Sequence, residues 1–193
     1  MDTLRFFVFP GGVPPKKAHE EDIGCDLGIR AIVDVSSSGR KTLFDFEDVC
    51  DLDCDPKLFD CRKVFGENSH DLSYRLDPCE SVSLGLGVVV EIPQSHAGYI
   101  EPRGSSVKKA GCFSRLEVAN SRVPIDPGFR GEPWAELVNH GPEPFLLRKG
   151  MYLVQLVVRP VFLGELRYIP ELMESLSDFS PSERSFGCNG SSG

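Results

Sequence analysis

Glycine and proline cut this chain into short pieces, and that punctuation limits what it can fold into. Nineteen glycines and 15 prolines occur in 193 residues, and they fall between brief runs rich in β-branched and aromatic side chains. The first run, 4–9, is stopped by Pro10-Gly11-Gly12; others occupy 27–35, 81–92, 97–101, 133–139, 144–147 and 151–161. Short apolar runs that end at Gly, Pro, Asn or Asp read as strands. Helical periodicity is scarce, with a short helix expected at 107–113 and a turn or two at 171–176. Many short strands at this spacing predict an all-β barrel or sandwich.

Composition narrows the function. With 40% hydrophobic and 26% charged residues the chain can build a core. A formal net charge of -8 excludes a sequence-independent nucleic-acid binder, which needs a basic footprint. It leaves room for a small anionic substrate held by a few arginines and backbone amides. The opening apolar run, about five residues, is too short for a spanning or signal segment, and no later run approaches membrane length. Seven cysteines without an export signal read as free thiols in a reducing compartment, so a cytoplasmic protein is expected. Cys50, Cys54 and Cys61 lack paired metal-ligand spacing, as do the scattered His19, His70, His96 and His140. Residues 36–76 are polar and acid-rich without alternation, and read as one long insertion or lid within a single domain spanning 1–176. Residues 177–193, rich in Ser and Gly, read as a flexible C-terminal arm.

The chemistry-bearing residues crowd between Gly98 and Gly141. In Glu101-Pro102-Arg103-Gly104-Ser105-Ser106, the arginine can fork onto phosphate oxygens, and the following amides and hydroxyls can cradle an anion. Taken alone, a polar turn with a surface ion pair explains it equally well. In Asn120-Ser121-Arg122-Val123-Pro124-Ile125-Asp126-Pro127-Gly128-Phe129-Arg130-Gly131-Glu132, Asp-Pro-Gly is strong turn chemistry. A hairpin is expected, with 118–125 as one arm and the second starting at Phe129. Alone, Asp126 reads first as a residue capping its own turn.

Together these segments resemble the trimeric dUTPase family, whose deaminating relatives are the dCTP deaminases. Five motifs run in order. Asp22-Ile23-Gly24-Cys25-Asp26-Leu27 is similar to Ala-x-Gly-x-Asp-Leu, and Pro102-Arg103-Gly104-Ser105-Ser106 to Pro-Arg-Ser-Gly. The segment from Asn120 to Glu132 is similar to Asn-x-x-Gly-x-Ile-Asp-x-x-Tyr-Arg-Gly-Glu. Gly150-Met151-Tyr152-Leu153-Val154-Gln155-Leu156 follows Gly-x-x-x-x-Gln-Leu, and the last ten residues, from Arg184, follow the family's glycine-rich tail. The resemblance implies a jelly-roll-like, distorted β-barrel assembled as a homotrimer, and cleavage of dUTP to dUMP and pyrophosphate. It implies Asp126 as the general base that orients the attacking water. Asn120 would face the uracil edge, with Pro124 and Ile125 beside it, and Phe129 would pack under the deoxyribose and leave no room for a 2′-hydroxyl. Arg103, Gly104, Ser105, Ser106, Gln155 and Arg184 would hold the triphosphate. Phe186, Gly190 and Ser191 would close over it from a neighbouring subunit's tail. Mg²⁺ would be held through phosphate oxygens and water, with Asp26 in its outer shell and no side chain as direct ligand.

The departures from the family pattern keep other functions open. Gly104 stands where a serine is expected, Phe129 where a tyrosine is, and Asn189 where an aromatic lies over the base. Glu136 matches the glutamate with which dCTP deaminases activate water, so a deaminase or bifunctional enzyme is the second reading. Lys108, Lys109 or Arg115 would then supply its basic partner. A nucleotide-binding regulator without turnover is the third.

Overall fold

The computed structural model describes residues 4–36, 39–47, 59–66, 71–104 and 116–164, and Met1–Phe162 forms one compact unit. Thirteen strands are found among the described residues: β1 Arg5–Val8, β2 Cys25–Gly28, β3 Ala31–Ser36, β4 Gly39–Phe44, β5 Val64–Phe65, β6 Ser73–Leu76, β7 Ser81–Gly85, β8 Val88–Glu91, β9 His96–Pro102, β10 Leu116–Val118, β11 Trp134–Asn139, β12 Phe145–Arg148 and β13 Tyr152–Pro160. The all-β expectation holds. The pairings leave four open sheets, however, rather than one closed barrel: β1-β8, β10-β11-β7-β3-β4, β12-β6-β5 and β2-β13-β9.

Seven expected runs became strands, with two of them divided. The run 81–92 is broken by Gly87, whose φ of +68° turns the chain between β7 and β8. A side chain there would meet the Cα of Gly12 at 2.7 Å, so glycine serves both the turn and the close approach. The run 27–35 divides at Ile29 and Arg30, where Ile29 N–H donates to the Met151 carbonyl and Arg30 N–H to that of Gly85. β11 alternates, with Ala135, Leu137 and Asn139 buried and Trp134, Glu136 and Val138 half-buried.

The stretch 36–76 departs most from expectation, because both its ends are woven into the fold. β4 pairs along β3, and β6 pairs with β12. Phe44, Phe46, Phe59 and Tyr74 form a chain of ring contacts 4.6–5.5 Å between centroids inside the core. Phe44 and Phe46 stand two apart, but Phe59 and Tyr74 are isolated from them in polar, acid-rich sequence, so no sustained alternation announces a strand. The helices expected at 107–113 and 171–176 lie outside the described residues.

β2-β13-β9 and the loop before β11 position the site. Along β13, Gln155 stands opposite Asp26 of β2 on one side and Glu101 of β9 on the other. Three polar side chains from three strands thus share one sheet face.

Candidate functional site

The first cluster is an open cavity of about 980 Å³ lined by Asp22, Gly24, Asp26, Arg103, Gly104 and Gln155, among others. Arg103 leaves the end of β9 with its N–H bonded to the Leu153 carbonyl at 3.0 Å. Its Nε lies 2.7 Å from Asp26 Oδ2. Asp26 is 6% exposed, and Oδ2 makes no aligned hydrogen bond, so the contact is a charge pair. The aspartate fixes the arginine while leaving its outer N–H groups free to fork onto an anion. Gln155 donates from Nε2 to the Pro102 carbonyl at 3.2 Å. Gly24 makes space for it, because a Cβ there would lie 2.2 Å from Gln155 Oε1. Nothing stands within 4 Å of a Cβ built on Gly104, so the missing serine is no steric necessity.

The second cluster is a smaller pocket of about 170 Å³ lined by Ile100, Asn120, Val123, Pro124, Ile125, Asp126, Phe129, Pro133 and Trp134. The loop that carries most of these is stitched to β9 by two backbone bonds between Gly98 and Ile125, at 2.9 and 2.7 Å. Gly98 also leaves room for the core beneath: a Cβ there would crowd Ile92 Cδ1 at 2.8 Å and Leu156 Cδ1 at 3.2 Å. Asp126 then opens a turn closed by the Phe129 N–H on its carbonyl at 3.0 Å, and its carboxylate is exposed to solvent. Phe129, 41% exposed, lies across Gly131, where a Cβ would meet its Cζ at 2.6 Å.

The expected two-armed hairpin is not what holds this loop. β10 ends at Val118 and pairs with β11, so 119–133 is a long excursion between them. Asn120 pins its root: its Nδ2 donates to the Trp134 carbonyl at 3.0 Å, and its Oδ1 accepts from Glu136 N–H at 2.9 Å. The side chain expected to face a base edge is therefore half engaged by the backbone of β11. One amide hydrogen and one oxygen lone pair are left beyond these bonds.

Glu132 was absent from the expected site and is the buried anchor of this loop. Its side chain is 1% exposed and pairs with Arg30, Nε to Oε1 at 3.2 Å, and with Arg40 at Oε2. The Arg40 Nη1 also donates to its carbonyl oxygen at 2.8 Å, and the Gly87 N–H donates to Oε1. Glu136, the deaminase-type candidate, accepts from Ser83 Oγ at 2.5 Å across β11 and β7, and it does not line the smaller pocket.

The structure brings Asn120, Pro124, Ile125, Asp126 and Phe129 together, and separately Arg103, Gly104, Gln155 and Asp26. Among the described residues, none lines both pockets. Ser105, Ser106, Lys108, Lys109, Arg115, Arg184, Phe186, Asn189, Gly190 and Ser191 lie outside the described residues.

A family model described as dCTP deaminase-like matches residues 57–161. The deoxyuridine 5'-triphosphate nucleotidohydrolase of Clostridium acetobutylicum is 34% identical over 114 residues, covering 59% of this chain and 71% of the relative. That of Alkaliphilus metalliredigens is 32% identical over 115 residues, covering 60% and 74%. Among solved structures, the dUTPase of Staphylococcus bacteriophage 80alpha with dUpNHpp has a TM-score of 0.64 at 18% identity, covering 100% of this chain and 99% of its own. A mutant dUTPase of phage phi11 of S. aureus, whose structure details a structural Mg(II) ion, has a TM-score of 0.58 at 17% identity, covering 88% and 98%.

Proposed function

This chain belongs to the dUTPase family of dCTP deaminase-like proteins, and from that premise we propose that it hydrolyses dUTP to dUMP and pyrophosphate. The observation that carries the reading is the pocket in which the Asp126 turn, Phe129 and Asn120 converge on a space that suits a nucleoside. Asp126, exposed and at a tight turn, orients a water for in-line attack on the α-phosphorus. Phe129 backs the deoxyribose, and Asn120, Pro124 and Ile125 wall the base. Arg103, with Gly104, Ser105, Ser106, Gln155 and Arg184, takes the triphosphate. Phe186, Gly190 and Ser191 close the site from the tail.

Mg²⁺ fits this donor set as a substrate-borne ion. Asp26 is committed to Arg103 and its Oδ2 is shut off from solvent, so it would support the ion from an outer shell through that arginine rather than as a direct ligand. When bound, the ion neutralises phosphate charge and fixes the triphosphate's shape. A homotrimer is the assembly that suits two half-sites with no shared lining residue among the described ones, with each complete site drawing on more than one protomer.

The test is product analysis with dUTP and with dCTP, each with Mg²⁺, for the wild type and Asp126→Asn. The expected result is dUMP and pyrophosphate from dUTP alone, falling by roughly 10²–10⁴-fold in the variant, the usual worth of a positioned general base. Ammonia from dCTP would assign the chemistry to Glu136 instead. Absence of any product would make the protein a nucleotide-binding regulator.

A further inference from the structure

The dUTPase reading leaves Arg40 unused, although it is half-buried and paired with the buried Glu132. It lies on β4, and the residue it grips stands 92 positions further along the chain. Its guanidinium spans Glu132 from both sides, one arm on the carboxylate and the other on the carbonyl oxygen at 2.8 Å. Arg30 completes the clamp on the carboxylate, with its Nη2 also donating to Thr42 Oγ1 of β4 at 3.3 Å. Burial holds the Arg40 guanidinium below its ordinary pKa, against the pull of Glu132.

The clamp lies beside the nucleoside pocket without touching it. Glu132 points inward, while Phe129 before it and Pro133 and Trp134 after it line the cavity. A two-point grip on side chain and backbone fixes both the position and the peptide-plane orientation of a residue, whereas a carboxylate contact alone fixes only the first. We propose that Arg40 is a positioning residue that sets the loop carrying Asp126 and Phe129 through Glu132, so that the 36–76 stretch governs nucleotide selection. The proposal rests on the dUTPase reading for its kinetic consequence, and on the geometry alone for its structural one.

The experiment compares Arg40→Ala and Arg40→Lys with the wild type, using the full-length chain. Arg62→Ala serves as a control, since that exposed arginine of the same stretch bonds, among the described residues, to neighbouring Asp60. KM and kcat are measured for dUTP and for UTP. In parallel, the emission of Trp134, the single tryptophan of the chain, is recorded without and with dUpNHpp. The expected result for Arg40→Ala is a KM for dUTP raised about tenfold and a dUTP/UTP ratio of kcat/KM reduced by a similar factor. Arg40→Lys should recover part of both, because it keeps the charge and loses the second bond. Trp134 emission in Arg40→Ala should shift before any nucleotide is added.

A merely structural role scales the active fraction, which lowers the apparent kcat for both substrates and leaves KM and the selectivity ratio untouched. Unchanged KM, ratio and emission in both Arg40 variants would overturn the proposal. A shift of equal size in Arg62→Ala would overturn it as well. If the wild type turns over neither nucleotide, the dUTPase reading fails, while Trp134 emission in the two Arg40 variants still decides the positioning. Where Arg40→Ala does not fold, Arg40→Lys alone carries the test.

Discussion

Gly24 and Gly98 lack side chains for different reasons, and substitution should separate them. A methyl at Gly24 would collide with the far end of Gln155, a side chain free to swing toward the open cavity. Gly24→Ala should therefore leave the unfolding midpoint in urea nearly unchanged. It should raise KM for dUTP several-fold, because Gln155 gives up its bond to the Pro102 carbonyl and its place beside the phosphates. A methyl at Gly98 would instead press on Ile92, Leu156 and Ile125 in the core. Overpacking of that kind costs roughly 1–3 kcal/mol, so Gly98→Ala should lower stability in urea and loosen the Asp126 loop with it. Glu132→Gln tests the buried anchor. Removing its charge leaves Arg30 and Arg40 facing a neutral amide, and breaking a buried pair in this way costs about 3–5 kcal/mol. A urea midpoint equal to that of the wild type would show that water, not Glu132, satisfies the two guanidinium groups.

Among the elements, β4 and β6 are the ones that ordinary pattern reading passes over, and they hold the aromatic part of the core. Phe59 touches both Phe44 and Tyr74 at about 5.5 Å between centroids. Truncating such a ring to alanine costs roughly 3–5 kcal/mol. Phe59→Ala should accordingly show a large drop in thermal midpoint by calorimetry, where a dispensable lid would show none. The strands that were legible, β1, β2, β3, β7, β8, β9, β11, β12 and β13, fall in β-rich runs closed by Gly, Pro, Asn or Asp. The Asp126 loop was legible because its residues are contiguous and the Asp-Pro-Gly turn announces itself. The Arg30–Glu132 pair spans 102 positions, and no local pattern marks which arginines of a chain will meet a given carboxylate. Glu132 looked like the end of a motif and proved to be its foundation. Asn120 was legible as important, yet its bonds to Trp134 and Glu136 depend on how β11 returns, which adjacency in sequence does not reveal.

For the whole molecule, the decisive feature is that the Asp126 pocket and the Arg103 pocket share no lining residue among the described ones. Hydrolysis at the α-phosphorus requires base and phosphate clamp within reach of one substrate. If the site is assembled between protomers, a chain lacking Asp126 can still lend its Arg103, and a chain lacking Arg103 can lend its Asp126. Asp126→Asn and Arg103→Ala should each be nearly inactive alone. Mixed one to one, unfolded in urea and refolded together, they should assort at random. A site that draws its base from one protomer and its arginine from a neighbour is then intact with odds of one half for each contribution, so about a quarter of the sites recover. Activity near that level, absent when the two proteins are mixed without unfolding, would assign the two half-sites to different protomers. A refolded mixture no more active than its components would mean that each chain closes its own two pockets around one nucleotide, and a catalytic reason for the proposed trimer would then rest on the tail alone.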